Sequence, residues 1–293
     1  MGGRRGAGGV FGTVVMQVRV VTFNVWNEEG DPRRFDLINR ELRHLKPDLV
    51  ALQEVVHMGG ARRLDQLLDG TELHGTHQSD VMAVTPPGAE RYGGTAMATR
   101  WPHRIVEVLD LRTADAPDIP WATLAALVEI PGEGDLLFIA TTTAWRLDAE
   151  AARERQVVAL ADLDARHRQA LPTIMAGDFN AGPDAGSIRY LTGLQAINGR
   201  SVHYHDAWTI AGQGTGYTWT DQNPNAALVF DQIVKQPRHR TRIDYVFIGS
   251  WHAHRQARAR VRSAALCCHQ PSQGLWASDH FGVVVDLDVG IAA

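Results

Sequence analysis

Two periodicities divide this chain. Residues 18–25 form a β-rich, mostly apolar run. After Asp31-Pro32, the positions Phe35, Ile38, Leu42 and Leu45 recur at helical spacing and define one apolar face. Asp31 reads as the helix cap, Pro32 suits the first turn, and Pro47 closes the helix. Residues 49–52 then read as a second buried strand. The middle of the chain is strand-rich: residues 81–84, 95–99, 105–111, 124–130 and 136–143 are short β-like runs separated by Gly, Pro and Asp turns. A long helix follows, capped by Asp148 and running to about Gln169, with Val157, Leu160, Ala161 and Leu163 on or near its apolar side. Further strands are expected at residues 173–176, 243–248, 261–266 and 282–287.

Units of strand–helix–strand mixed with consecutive strands imply an α/β fold in which two mixed sheets pack face to face with helices outside, a four-layer α/β/β/α sandwich. No repeat, linker or low-complexity tract interrupts the chain after Met16, so residues 16–293 are expected to form a single domain. Residues 1–15 read as a disordered, Gly-rich leader. Gly9 and Gly12 break its apolar stretch, which argues against a signal peptide.

Composition narrows the function classes. The chain is 44% hydrophobic and 21% charged, enough to bury a sizeable core. Its net charge of -4 provides no global basic field, which disfavours a dedicated nucleic-acid binder. The local basic clusters at 238–242 and 255–262 read as solvated faces. The two cysteines, Cys267 and Cys268, are adjacent, so no disulfide framework exists, and a cytoplasmic location is expected. No apolar run is long enough for a membrane span. A monomer without integral membrane association is therefore expected.

The candidate chemistry sits at the ends of the apolar runs: Asn24, Glu54, Asp178 and Asn180 in Gly177-Asp178-Phe179-Asn180, Asp244, and Asp279-His280. A phosphate ester repels nucleophiles, so a site that hydrolyses it must neutralise charge, position a water and assist the leaving oxygen. Carboxylate and amide oxygens are hard ligands for Mg²⁺ or Mn²⁺. Glu54 and Asn24 fit that role, and Asp279 is a further metal candidate. Asp178 is a candidate base for the attacking water, and Asn180 can orient that water or a phosphate oxygen. His280 can donate to the phosphoryl group, with Asp244 as the carboxylate behind it.

In this order, these motifs resemble the endonuclease/exonuclease/phosphatase superfamily over residues 18 to 287. The resemblance implies the four-layer sandwich, a divalent metal and phosphoester hydrolysis. It assigns Asn24 and Glu54 to the metal end, Asp178 and Asn180 to the water, and Asp244 with His280 to an Asp–His pair. One departure stands out. Many relatives carry His in a Thr-His-Leu-x-Trp stretch, whereas this chain has Thr141-Thr142-Thr143-Ala144-Trp145. Thr142 can donate one hydrogen bond but cannot carry positive charge. Arg146 is a candidate to compensate, and Trp145 a candidate pocket wall; Trp26, Trp219 and Trp276 also lie near site motifs.

The leading expectation is a metal-dependent phosphatase or phosphodiesterase acting on a small or medium phosphorylated substrate. A DNA or RNA nuclease of the same fold is one alternative. A catalytically silent binding protein, motivated by Thr142, is the other. His203-Tyr204-His205-Asp206 has the spacing of some zinc sites but lacks the further His those sites need.

Overall fold

Several strands of this chain are apolar on both faces because they are sandwiched between layers. The computed structural model describes residues 16–58, 61–113, 115–117, 119–236 and 238–291, so the expected leader lies outside the described residues. The elements that matter here are β1 (Met16–Asn24), α1 (Arg34–Leu45), β2 (Leu49–Val55), α2 (Arg63–Leu68), β3 (His74–His77), β4 (Gly94–Thr99), β5 (His103–Asp110) and β6 (Ala122–Ile130). They continue with β7 (Gly134–Thr142), α3 (Glu150–His167), β8 (Ile174–Asp178), α4 (Gly186–Leu191), β9 (Tyr204–Asp206), β10 (Asp244–Gly249), β11 (Ala257–Cys267) and β12 (Gly282–Ile291).

One sheet has the order β11-β12-β1-β2-β4-β3, the other β9-β10-β8-β7-β6-β5. Each contains one parallel pair, β1 with β2 and β8 with β7, in otherwise antiparallel surroundings. Alternation along each strand then divides the side chains between layers. Val18, Val20, Leu49, Ala51, Leu136, Phe138, Ile174, Ala176, Val246 and Ile248 meet in the core between the sheets. Their neighbours Val21, Phe23, Val50 and Leu52 turn outward onto Phe35, Ile38 and Leu42 of α1 and Leu64 and Leu67 of α2. Leu137, Ile139, Met175, Tyr245 and Phe247 turn outward onto Val157, Leu160 and Leu163 of α3. The architecture is the four-layer α/β/β/α sandwich.

Several element boundaries differ from expectation. Residues 81–84 do not form a strand: Gln78–Val81 is a single helical turn, and Val84 is exposed. Asp80 accepts from the His77 amide at 2.9 Å and caps that turn, so the edge strand ends at His77. Asp31 is not the cap of α1. It closes the preceding turn by accepting from the Arg33 amide at 2.9 Å, and α1 starts at Arg34. Asp148 pairs with Arg146 instead of capping α3, which runs from Glu150 to His167. The strand expected at 261–266 begins earlier, at Ala257, because its exposed arginines alternate along a sheet edge.

Candidate functional site

The site forms where the inward-facing rows of both sheets change from apolar to polar. Asn24 continues the row of Val18 and Val20, Asp178 that of Ile174 and Ala176, and Thr142 that of Phe138 and Ala140. Asp244 precedes Val246 and Ile248. Strand pairing sets Asp178 opposite both Thr142 and Asp244. Alternation carries these four residues to one end of the inter-sheet layer.

Glu54 reaches the same place by a different device. Simple alternation would turn it outward with Val50 and Leu52. Instead the β2–β4 register shifts between Leu52 and Val55, and Glu54 adopts φ +60. A β-bulge of this kind re-aims a side chain. Gly93 makes room for it: a Cβ there would lie 2.5 Å from the Glu54 carbonyl carbon. Gly177 allows a similar approach on the other sheet, where a Cβ would lie 2.0 Å from the Thr141 oxygen.

Asn24 joins the two halves. Its Nδ2 donates to Glu54 Oε1 at 3.0 Å and to Asp178 Oδ2 at 3.1 Å. Its Oδ1 accepts from the Trp26 amide at 2.9 Å, which fixes the amide orientation and leaves one oxygen lone pair for a cation. Asn27, which the sequence reading did not single out, donates from Nδ2 to Glu54 Oε2 at 3.0 Å. Its position in the same loop as Asn24 was the available signal. Asp178 Oδ1 accepts from the Asn180 amide at 2.9 Å, and Asn180 Nδ2 donates to the Thr143 carbonyl at 3.1 Å. Asn180 therefore lines the site in a left-handed backbone conformation, φ +49.

His280 Nδ1 lies 3.0 Å from Asp244 Oδ2. Trp219 stacks on the imidazole with ring centroids 6.1 Å apart. Ser278 Oγ donates to the Asn24 carbonyl at 2.7 Å and so ties the Ser278-Asp279-His280 turn to the end of β1. Ligand atoms of Asp178, Asp244 and His280 all lie within 4.8 Å of one another. Asp244 Oδ1 and Thr142 Oγ1 are buried with no partner among the described residues. Unsatisfied buried oxygens of this sort are costly unless a ligand completes them.

Charge crowding perturbs the whole group. Burial, and then the Asp279 charge, push the Glu54 carboxyl up to about 7. Burial and the neighbouring Asp244 push Asp178 up to about 7. Burial also raises Asp279. For His280, burial alone would favour the neutral ring. The charges of Asp244 and Asp279 and the bond to Asp244 together outweigh it and hold the imidazole well above its ordinary value. The Glu54 carboxyl, with the Asp279 charge near enough to raise it and the open lone pair of Asn24 Oδ1 beside it, fits a hard divalent cation.

Arg34 is a second residue that sequence reading missed. It is fully buried beneath the loop after β1. Its guanidinium donates to the carbonyls of Glu29 at 2.7 Å, Trp26 at 2.8 Å and Ala277 at 3.3 Å, and also to those of Val25 and Asn27. It thus fastens the Asn24–Asn27 loop to the chain entering Ser278. The signal was present, since Arg34 falls four residues before Ile38 and eight before Leu42 on the apolar stripe.

The site opens into a cleft of about 650 Å³. Trp145 lines it, as do Trp26, Asn27, Glu54, Asp178, Asn180, Asp279 and His280. Arg146 does not: its guanidinium bonds Asp148 at 2.9 and 3.1 Å, outside the cleft lining. Thr142 lies beneath the cleft, fully buried. Trp276 stacks on Phe281 away from the lining. The His203–Asp206 stretch does not build a zinc site. Asp206 caps Trp208 at 3.0 Å and pairs with the buried Arg242 at 2.7 Å. Cys267 and Cys268 are free thiols. No helix among the described residues is long and apolar enough to cross a membrane.

Comparison with known proteins agrees with this architecture. D. rerio TDP2, solved with a single-strand DNA product, superposes with a TM-score of 0.69 at 19% identity, covering 92% of this chain and 98% of that one. An endonuclease/exonuclease/phosphatase from Bacteroides vulgatus gives 0.65 at 18% identity, covering 93% and 98%. One from Beutenbergia cavernae gives 0.62 at 20% identity, covering 94% and 72%. No curated protein matches the sequence. At these identities the likeness establishes the fold. The family follows from the sequence match over residues 21–280, which contains Asn24, Glu54, Asp178, Asp244 and His280: the chain belongs to the endonuclease/exonuclease/phosphatase family.

Proposed function

We propose that this protein is a divalent-cation-dependent phosphoester hydrolase that directs water onto a small or medium phosphorylated substrate. The observation that carries this reading is the convergence of Asp178, Asp244 and His280 within 4.8 Å, linked through Asn24 to Glu54. Glu54, Asp279 and the free lone pair of Asn24 Oδ1 would hold Mg²⁺ or Mn²⁺, which when bound would neutralise phosphoryl charge and help the leaving oxygen depart.

The remaining tasks fall to the chain itself. Asp178, with a carboxyl near 7, suits a base that takes a proton from water at neutral pH. Asn180 stands beside it, held by the Thr143 carbonyl. Asp244 fixes His280 as a charged donor, so its other nitrogen can bond a phosphoryl oxygen as negative charge develops there. Thr142, fully buried and outside the cleft lining, stands opposite Asp178 in the strand pairing, with a hydroxyl unpartnered among the described residues. The shared inter-sheet core supports reading residues 16–293 as a single domain.

A second reading, a nuclease, is favoured by the fold shared with D. rerio TDP2 and the single-strand DNA product that protein holds. The deciding experiment is Mg²⁺- and Mn²⁺-dependent hydrolysis of bis(p-nitrophenyl) phosphate, p-nitrophenyl phosphate and single-stranded oligonucleotides, with Glu54→Ala alongside. Loss of turnover in Glu54→Ala supports the hydrolase, and salt-sensitive cleavage of oligonucleotides selects the nuclease. Silence of the folded, cation-loaded protein toward every substrate would overturn both.

A further inference from the structure

The cleft has an unusual chemical balance for a site that handles phosphate. Four of the large hydrophobic side chains most exposed on the described surface stand on its walls: Tyr92 at 42%, Trp145 at 40%, Leu147 at 54% and Ile233 at 39%. Trp26 and Trp121 add further aromatic surface. Exposed apolar area gathered in one concave place, rather than scattered, marks a binding surface.

The cleft is also poor in available positive charge. Arg153 is the sole Arg or Lys among the described lining residues, and it is buried. Its guanidinium is committed to Glu150 at 2.7 Å and to the carbonyls of Ala144 at 2.9 Å and Arg146 at 2.7 Å. The carboxyls of the lining are those of Glu54, Glu150, Asp178 and Asp279, with imidazoles from His280 and from His239, the latter's burial favouring the neutral ring. A polyanion needs several accessible cations along its length, and this cleft does not offer them.

Resting on the hydrolase reading above, we infer that the substrate is a single phosphoester joined to one bulky apolar group. The phosphoryl end lies against His280 and Glu54, and the apolar body lies against Trp145 and Leu147. Polyphosphates and oligonucleotides are selected against. Contacts in an apolar pocket discriminate by ~10–200-fold, so a clear chain-length or ring dependence follows.

The test uses the phosphomonoesters and the methyl phosphodiesters of methanol, hexanol and benzyl alcohol, whose leaving alcohols are of similar acidity, read by release of the alcohol with the Mg²⁺- or Mn²⁺-loaded full chain. Expected is a kcat/KM at least tenfold higher for benzyl or hexyl than for methyl, with the hexyl and benzyl arms showing whether the body is aliphatic or aromatic. Trp145→Ala and Leu147→Ser should pull that ratio toward one. A flat series, an unchanged ratio in both folded variants, or preferred cleavage of an oligonucleotide overturns the inference. Calorimetric binding of benzylphosphonate against methylphosphonate separates this inference from the hydrolase reading. At least tenfold tighter binding of the benzyl compound without turnover of any ester would sink the hydrolase and leave the apolar subsite standing. Equal binding would sink the subsite.

Discussion

Replacing Glu54 with Gln should remove a pH-dependent destabilisation of the metal-free protein at the expense of its activity. The carboxyl stands beside Asp279 in a poorly solvated cleft floor, and its folded-state value is about 7 against an ordinary 4.5. An acid raised in this way binds its proton more tightly in the folded state. Its ionisation penalty is absent below about pH 4.5, grows as pH rises toward 7, and is fully present above that. The interval corresponds to ~3 kcal/mol, which solvent at the cleft mouth reduces to ~1–3 kcal/mol. Gln is uncharged and escapes that penalty at every pH, but its NH₂ cannot accept, so it loses one of the two bonds that Asn24 and Asn27 donate to the carboxylate, a pH-independent cost of about 1 kcal/mol. In thermal melts in EDTA, the melting temperature of Glu54→Gln relative to the original protein should therefore climb by ~2–10 °C between pH 4 and pH 8. Adding Mg²⁺ at pH 8 should then raise the melting temperature of the original protein and leave the variant nearly unmoved, since a ligand stabilises only what it binds. A melting-temperature difference that does not move toward the variant between pH 4 and pH 8 without metal, or an equal gain from Mg²⁺, would refute the reasoning.

Three further outcomes follow from the same geometry. Asp244→Asn removes the charge that keeps His280 protonated, so the alkaline limb of the pH–rate profile should move to lower pH; an unmoved limb would show that His280 is not held charged by Asp244. Thr142→Val deletes a buried hydroxyl that has no partner among the described residues and does not line the cleft, so stability should hold or rise by ~1 kcal/mol in denaturant melts, and a clear loss of stability would show that the hydroxyl is satisfied in the folded protein. Gly93→Ala sets a Cβ against the Glu54 backbone, so Mg²⁺-induced thermal stabilisation should be lost along with activity, and retention of both would mean that the bulge tolerates displacement.

The sequence by itself determined the layering, the central strands, the helices α1 and α3 and most of the polar residues of the candidate site, but not the edge strand β3, the strand β9 or the helices α2 and α4. The near-continuous burial of β1, β7, β8 and β10 was legible because two apolar faces per strand demand a layer on each side. Asn24, Asp178 and Asp244 were legible because each lies at a strand end, in phase with an inward apolar row. The tertiary structure decided what alternation cannot express. Glu54 is out of phase with that row, and a bulge packed against Gly93, distant in sequence, re-aims it. Arg34 looks like one more surface charge until the chain folds back and presents it with carbonyls from residues 25 to 29 and from Ala277. Arg146 looked available for substrate, but a carboxylate two residues away holds it. Local pattern specifies which way a regular strand or helix faces. Bulges, buried ion partners and cleft walls depend on residues that meet only after the sheets have packed, so their roles belong to the folded chain.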